Sequence, residues 1–200
     1  MSYADPERRP DHRSFSEVGQ VGRFTVRPAT VDDVLTIESV IAESSRGLSR
    51  DDYTPEQIDA ALGTAWGVDT ELIADGTYFV VEAEGQIVAC GGWSRRQTLF
   101  GSDARQGRQS ELLDPAQDAA RIRAFFVRPQ WARKGIGRLL LHRCEAAASA
   151  AGFHRTELMA TLPGRRLYAA CGYLVGEPIQ YPLPTGITIE FVPMRKDLPE

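Results

Sequence analysis

Two hundred residues, 42% hydrophobic, 25% charged and 8% aromatic, suit an ordinary soluble globular protein of one sizeable domain, or at most two small ones. At this length roughly 70% of the unfolded surface can be buried, so no metal or disulfide staple is needed to hold a core. The net charge of −4 speaks against a nucleic-acid or membrane-surface binder, although two lysines and 21 arginines make up the 23 basic side chains. Cys90, Cys144 and Cys171 are odd in number and far apart. They match no disulfide framework and no metal-ligand spacing, and they suit a reducing cytoplasm. No apolar run approaches a membrane span, and the polar N-terminus does not read as a signal peptide.

Residues 1–22 are polar, mixed in charge and broken by Pro6 and Pro10. They read as a flexible arm ahead of a single domain over 23–200. A short alternating strand at 24–28 leads to a helix capped at Thr30 or Asp32 and running to about Ser44. A loop over 47–53 precedes a second helix, from the Thr54-Pro55-Glu56-Gln57 capping signal to about Trp66. Strands at 77–83 and 86–93 flank a tight Glu84-Gly85 turn. Residues 101–118 form a long polar loop, a candidate lid or substrate edge. Then follow a strand at 120–127, a strong helix at 135–151 stopped by Gly152, and a strand at 154–160. A short helix at 165–171 and strands at 173–182 and 187–194 complete the chain. The β-α-α-β-β-β-α-β-α-β-β order predicts an α+β fold: a mixed sheet with helices on both faces.

The informative stretch is IRAFFVRPQWARKGIGRLLL, residues 122–141. A strand ends at Val127, Pro129 stops it, and a turn with two glycines opens a helix. Free N–H groups at a helix start bind anions, aided by the helix dipole. Gly135 and Gly137 remove side chains that would hold a phosphate away. Arg133, Lys134 and Arg138 add donors worth about 1.5–3 kcal/mol each. The residues alone leave two readings: a pyrophosphate-binding turn, or a helix that starts at glycines and shows a solvated basic edge. The stretch lacks both GxxxxGK[ST] and GxGxxG.

This segment resembles the acyl-CoA signature of the GNAT superfamily of N-acetyltransferases. The family pattern is V-x-P followed by [QR]-x-x-G-x-[GA]. Here Val127-Arg128-Pro129 and Ala132-Arg133-Lys134-Gly135-Ile136-Gly137 fill it, with Ala132 where the family has Gln or Arg. A second block is similar to the family's N-x-x-A-x-x-x-Y-x-x-x-G-[FY]. Thr161 and Gly164 replace its Asn and Ala, while Tyr168, Gly172 and Tyr173 fit. The resemblance covers about residues 23–198. It implies the GNAT-like acyl-CoA N-acyltransferase fold, a mostly antiparallel central sheet flanked by helices. Two parallel strands in it splay to admit the pantetheine arm of acetyl-CoA.

On that resemblance, Phe126 and Val127 would offer backbone groups to the pantetheine and thioester, with the Val127 N–H facing the carbonyl. Arg133, Lys134, Gly135, Ile136, Gly137 and Arg138 would hold the pyrophosphate. Tyr168 matches the family's general acid. The strand position that carries a glutamate base in several members is Arg121 here, which leaves Glu82, Glu111, Asp118 and Glu157 as weak candidates. Asp51, Asp52 and Tyr53, with Trp93 as a further wall, would receive a cationic amine. The expected reaction moves an acetyl group from acetyl-CoA to a primary amine of a small molecule, without a metal. A protein or peptide acceptor, a non-catalytic acyl-CoA-binding module and an arginine-rich nucleic-acid binder are the rivals. Because dimers are common in the family, the C-terminal strand pair is a candidate homodimer interface.

Overall fold

The computed structural model describes residues 19–21, 23–98, 103 and 111–199. Most of the expected arm and half of the 101–118 loop therefore lie outside the described residues. The chain forms β1 (Gly19–Val21), β2 (Phe24–Pro28), α1 (Val34–Leu48), α2 (Pro55–Ala61), α3 (Thr70–Ala74), β3 (Tyr78–Ala83) and β4 (Gln86–Ser94). It continues with β5 (Ala120–Val127), α4 (Ile136–Ala150), β6 (Arg155–Ala160), α5 (Leu162–Ala170), β7 (Leu174–Val175), β8 (Ile179–Pro182) and β9 (Thr188–Asp197). The strands lie in the order β1-β2-β3-β4-β5-β6-β9-β7, with β8 paired to β9. Only β5 and β6 run parallel; the other pairs are antiparallel.

Period-two alternation splits the core between the two faces of the sheet. On β3, Phe79 and Val81 face α4 and pack with Leu140, Leu141 and Phe153. Tyr78 and Val80 face the opposite side and pack with Ile37, Val40 and Ile41 of α1. Helices thus cover both faces, as the element order predicts.

Several boundaries differ from the sequence reading, each for a local reason. Gly19–Val21 pairs antiparallel with β2, inside the segment expected to be an arm. The first helix runs past Ser44 to Leu48 through Gly47, which sits where α1 meets the Pro129 ring. The Thr54 cap forms as expected, Thr54 Oγ1 accepting from the Gln57 N–H at 3.3 Å and Gln57 Oε1 from the Thr54 N–H at 3.0 Å. That helix ends at Ala61 rather than Trp66, and α3 is an extra turn of helix. The last helix starts at Leu162, not Arg165, because Thr161 Oγ1 accepts from the Gly164 N–H at 3.3 Å and Pro163 fits the first turn. The strand expected at 173–182 is broken into β7 and β8 around Pro178.

Candidate active site

β5 and β6 pair only at Ala120↔Thr156 and Arg121↔Glu157. Beyond that rung they diverge. On the other edge of β5, Cys90 pairs with Phe126 and Gly92 with Arg123, so β5 carries one extra residue. Ala124, at φ +55°, lies in this bulge, which bends the strand away from β6. A cleft of about 790 Å³ opens between the diverging strands. Its walls include Phe126 and Val127 of β5, the turn before α4, and Tyr168 of α5.

The start of α4 forms part of this wall. Gly135 caps the helix at φ +84° and faces open space, so it is there for a left-handed conformation that side chains resist. The first-turn N–H groups, Ile136, Gly137 and Arg138, have no partner within the helix. Arg133 and Arg138 are exposed and line the cleft. Two expectations change. Lys134 is not on the cleft wall; its Nζ stands 4.6 Å over the Trp131 ring, a cation–π contact. Gly137 lines the cleft, but its smallness serves packing as well. A Cβ there would meet Leu167 Cδ2 at 2.9 Å, so its smallness lets α4 approach α5. Arg166, on α5, also reaches the cleft. Its place in the second block, one turn of helix after Thr161, was the available signal.

The cleft is also lined by Tyr168, Asp51 and Asp52. Tyr168 is buried, with its ring edge-on to Phe125 and Tyr173. Burial pushes its phenol pKa upward, and no hydrogen bond within the described residues holds its hydroxyl. Asp51 and Asp52 are the only carboxylates lining the cleft among the described residues. The other candidate bases are engaged elsewhere. Glu82 pairs with Arg27 and Glu157 with Arg121. Asp118 accepts from the Asp114 N–H at 2.8 Å, and Glu111 from Gln97 Nε2 at 3.3 Å.

Tyr53 and Trp93 are not on the cleft wall. The Tyr53 hydroxyl donates to the Glu190 carbonyl at 2.7 Å and accepts from the Leu162 N–H at 2.8 Å. Its ring packs edge-on against Trp66. The side chain is a strut rather than an amine receptor. Trp93 points into the α4 face of the core, where it packs edge-on against Phe153. Two residues the sequence reading did not single out do line the cleft: Ser44 and Ser45, in the last turns of α1. The Val127 N–H, expected to face a thioester, donates to Ser44 Oγ at 3.2 Å.

The cysteines lie away from this chemistry. Cys90 and Cys144 are fully buried, and burial pushes the Cys90 thiol up to about 12. Among the described residues no three His, Cys, Asp or Glu side chains gather as a metal site, and no helix is long and apolar enough to cross a membrane.

Known proteins share this fold. Solved structures with the same fold include a GCN5-related N-acetyltransferase from Rhodopseudomonas palustris, 21% identical, with a TM-score of 0.66 over 86% of this chain and 94% of that one. PaiA N-acetyltransferase from Thermoplasma acidophilum, in complex with coenzyme A, is 14% identical, with a TM-score of 0.58 over 87% and 98%. The acetyltransferase YncA from Salmonella typhimurium, with its cofactor acetyl-CoA, is 18% identical, with a TM-score of 0.58 over 88% and 95%. No curated protein matches the sequence. The Acetyltransferase (GNAT) family matches over residues 40–173, which take in most of α1, every cleft-lining residue but Phe191, and Tyr168. With two thirds of its length matched and the splayed strands in place, the chain belongs to the GNAT acetyltransferase family.

Proposed function

We propose that this protein, through one domain over residues 23–200, moves the acetyl group of acetyl-CoA to a primary amine of a small molecule. The observation that carries the reading is the form of the cleft. Its lining combines a cationic, N–H-rich helix start with a tyrosine and two carboxylates. Pantetheine amides would pair with the backbone of Phe126 and Val127, where β6 has diverged. The pyrophosphate would meet Arg133, Arg138 and the N–H groups from Gly135 to Arg138. Relatives solved with acetyl-CoA and coenzyme A support the choice of donor.

The chemistry is direct attack. An alkyl ammonium near pKa 10.4 must lose a proton, which at pH 7 costs about 4.6 kcal/mol at ~1.36 kcal/mol per unit. Asp51 and Asp52 would draw the cation into the cleft and pass that proton, through water, to solvent. The nitrogen lone pair forms the C–N bond as the carbonyl π pair moves onto oxygen. On collapse the C–S bond breaks with its electrons on sulfur, and the nitrogen sheds its second proton. A free phenol near 10 is already a weaker acid than a thiol near 8.5 by roughly 2 kcal/mol. Burial weakens Tyr168 further. The tyrosine therefore hydrogen-bonds the departing sulfur, and the sulfur takes its proton from water.

The test is a screen of small amines with acetyl-CoA, reading free thiol. Amine-dependent thiol release is expected. Binding of acetyl-CoA with no release across amines and peptides would make the domain a non-catalytic acyl-CoA sensor. Release with peptides alone would move the acceptor to proteins.

A further inference from the structure

The Val127 N–H stands on the β5 wall of the cleft, at the place expected for the thioester. It is already spent on Ser44 Oγ. A serine hydroxyl that accepts from an N–H keeps its own O–H to give. Ser44 is only 6% exposed and lines the cleft, and within the described residues that proton has no acceptor. Contacts on both sides fix the side chain there. One residue earlier, Glu43 pairs with Arg128; three residues later, Gly47 abuts the Pro129 ring. The end of α1 is thereby pinned to residues 127–129. Ser45 adds an independent sign. The residue lines the same cleft, and its Oγ is buried with no hydrogen-bond partner among the described residues. A protein seldom leaves a buried hydroxyl unpaired unless a bound group completes it.

We propose that Ser44 is the acyl-carbonyl donor of this protein. Its hydroxyl, polarised by the Val127 N–H, hydrogen-bonds the thioester carbonyl of bound acetyl-CoA and then the oxyanion that amine attack creates. The inference rests on the acetyl-CoA reading above. No proton leaves the serine. The carbonyl π pair moves onto oxygen as the C–N bond forms, the Ser44 O–H bond points at that charge, and the pair returns as the C–S bond breaks. A chain of N–H to O–H to oxygen strengthens each link through mutual polarisation. A donor placed before the reaction costs no reorganisation when charge appears.

The test needs no knowledge of the acceptor. Acetyl-CoA labelled with ¹³C at the carbonyl is bound to the wild-type protein and to Ser44→Ala and Ser44→Thr, and the carbonyl stretch is read by isotope-edited infrared spectroscopy. The wild type and Ser44→Thr are expected to lower the stretching frequency. Ser44→Ala is expected to lose most of that shift and its preference for acetyl-CoA over CoA. Its affinity for CoA itself should stay within about two-fold, which also shows that it folds. With an amine found by the screen, turnover in Ser44→Ala should fall about 100-fold. An equal or larger shift in Ser44→Ala would mean that the Val127 N–H serves the carbonyl directly, and would overturn the role of Ser44 while leaving the acetyl-CoA reading standing. A wild-type protein that binds neither acetyl-CoA nor CoA would instead overturn that reading.

Discussion

Tyr168 and Tyr53 are both buried tyrosines near one cleft, and their hydroxyls separate their roles. The Tyr168 hydroxyl is held by no described group, so deleting it breaks nothing in the fold. Tyr168→Phe is expected to leave the unfolding midpoint unchanged, lower kcat by 10- to 100-fold or more, and shift the acetyl-CoA KM by less than two-fold. An unchanged kcat would remove its role at the sulfur. The Tyr53 hydroxyl joins the Leu162 N–H to the Glu190 carbonyl, so its loss leaves two backbone groups unpaired. Tyr53→Phe is expected to cost about 1–3 kcal/mol in urea denaturation. Stability within 0.5 kcal/mol of wild type would show that water replaces the hydroxyl without penalty. Sequence could not separate this pair. Tyr168 is marked by its spacing to Gly172, whereas Asp51-Asp52-Tyr53 offers a charge pattern without a direction. Two of those three residues line the cleft and the third is tied to the backbone at Leu162, a fact that depends on chain 109 residues further on.

Elements were legible where the signal is local and obscure where it is tertiary. The Thr54 cap, the β3–β4 turn and the helix opening at Gly135 are written in adjacent residues, and they form as read. The end of α1 is not, because Gly47 looks like a stop when only neighbours are considered. It is a contact instead: a Cβ there would overlap the Pro129 ring. The same confusion moved the start of α5, where Pro163 passes for a breaker but occupies the first helical turn. Gly47→Ala tests the contact because two effects oppose each other. In a free helix alanine gains about 1 kcal/mol over glycine. Here the added methyl meets a ring that cannot rotate aside, and overpacking costs typically 1–3 kcal/mol. A net loss of stability is expected, with a raised acetyl-CoA KM because α1 is pushed off residues 127–129. A variant more stable than wild type would show that the α1–Pro129 contact is loose.

At the scale of the whole molecule, the net charge of −4 conceals a division of labour. Among the described residues, Arg133, Arg138 and Arg166 line the cleft without carboxylate partners, while paired ions tie the fold together. The clearest tie is Arg27 of β2, which binds Asp33 ahead of α1 at 2.7 Å and Glu82 of β3 at 2.8 Å. Asp33 Oδ2 also accepts from the Thr30 N–H at 2.8 Å. Hydrogen bonds from Arg27, above all, hold the Asp33 carboxyl down at about 2 despite its burial. Glu43 beside Arg128 and Asp75 beside Arg96 are lowered for the same reason. The sign follows from linkage. An unfolded aspartate titrates near 3.9. Above about pH 4 both states are ionised and the stabilisation is complete. Between about pH 4 and 2 the unfolded chain takes up a proton that native Asp33 refuses, so stability falls with falling pH. Below about pH 2 the contribution is gone. Asp33→Asn removes this titration but keeps an acceptor for Thr30. Urea denaturation from pH 6 to 2 should therefore show a less stable variant at pH 6 whose stability falls more gently below pH 4. Parallel curves for wild type and variant would place the acid sensitivity elsewhere, in Glu43 and Asp75, and would mean that the strand-to-helix tie holds the fold by packing rather than by charge.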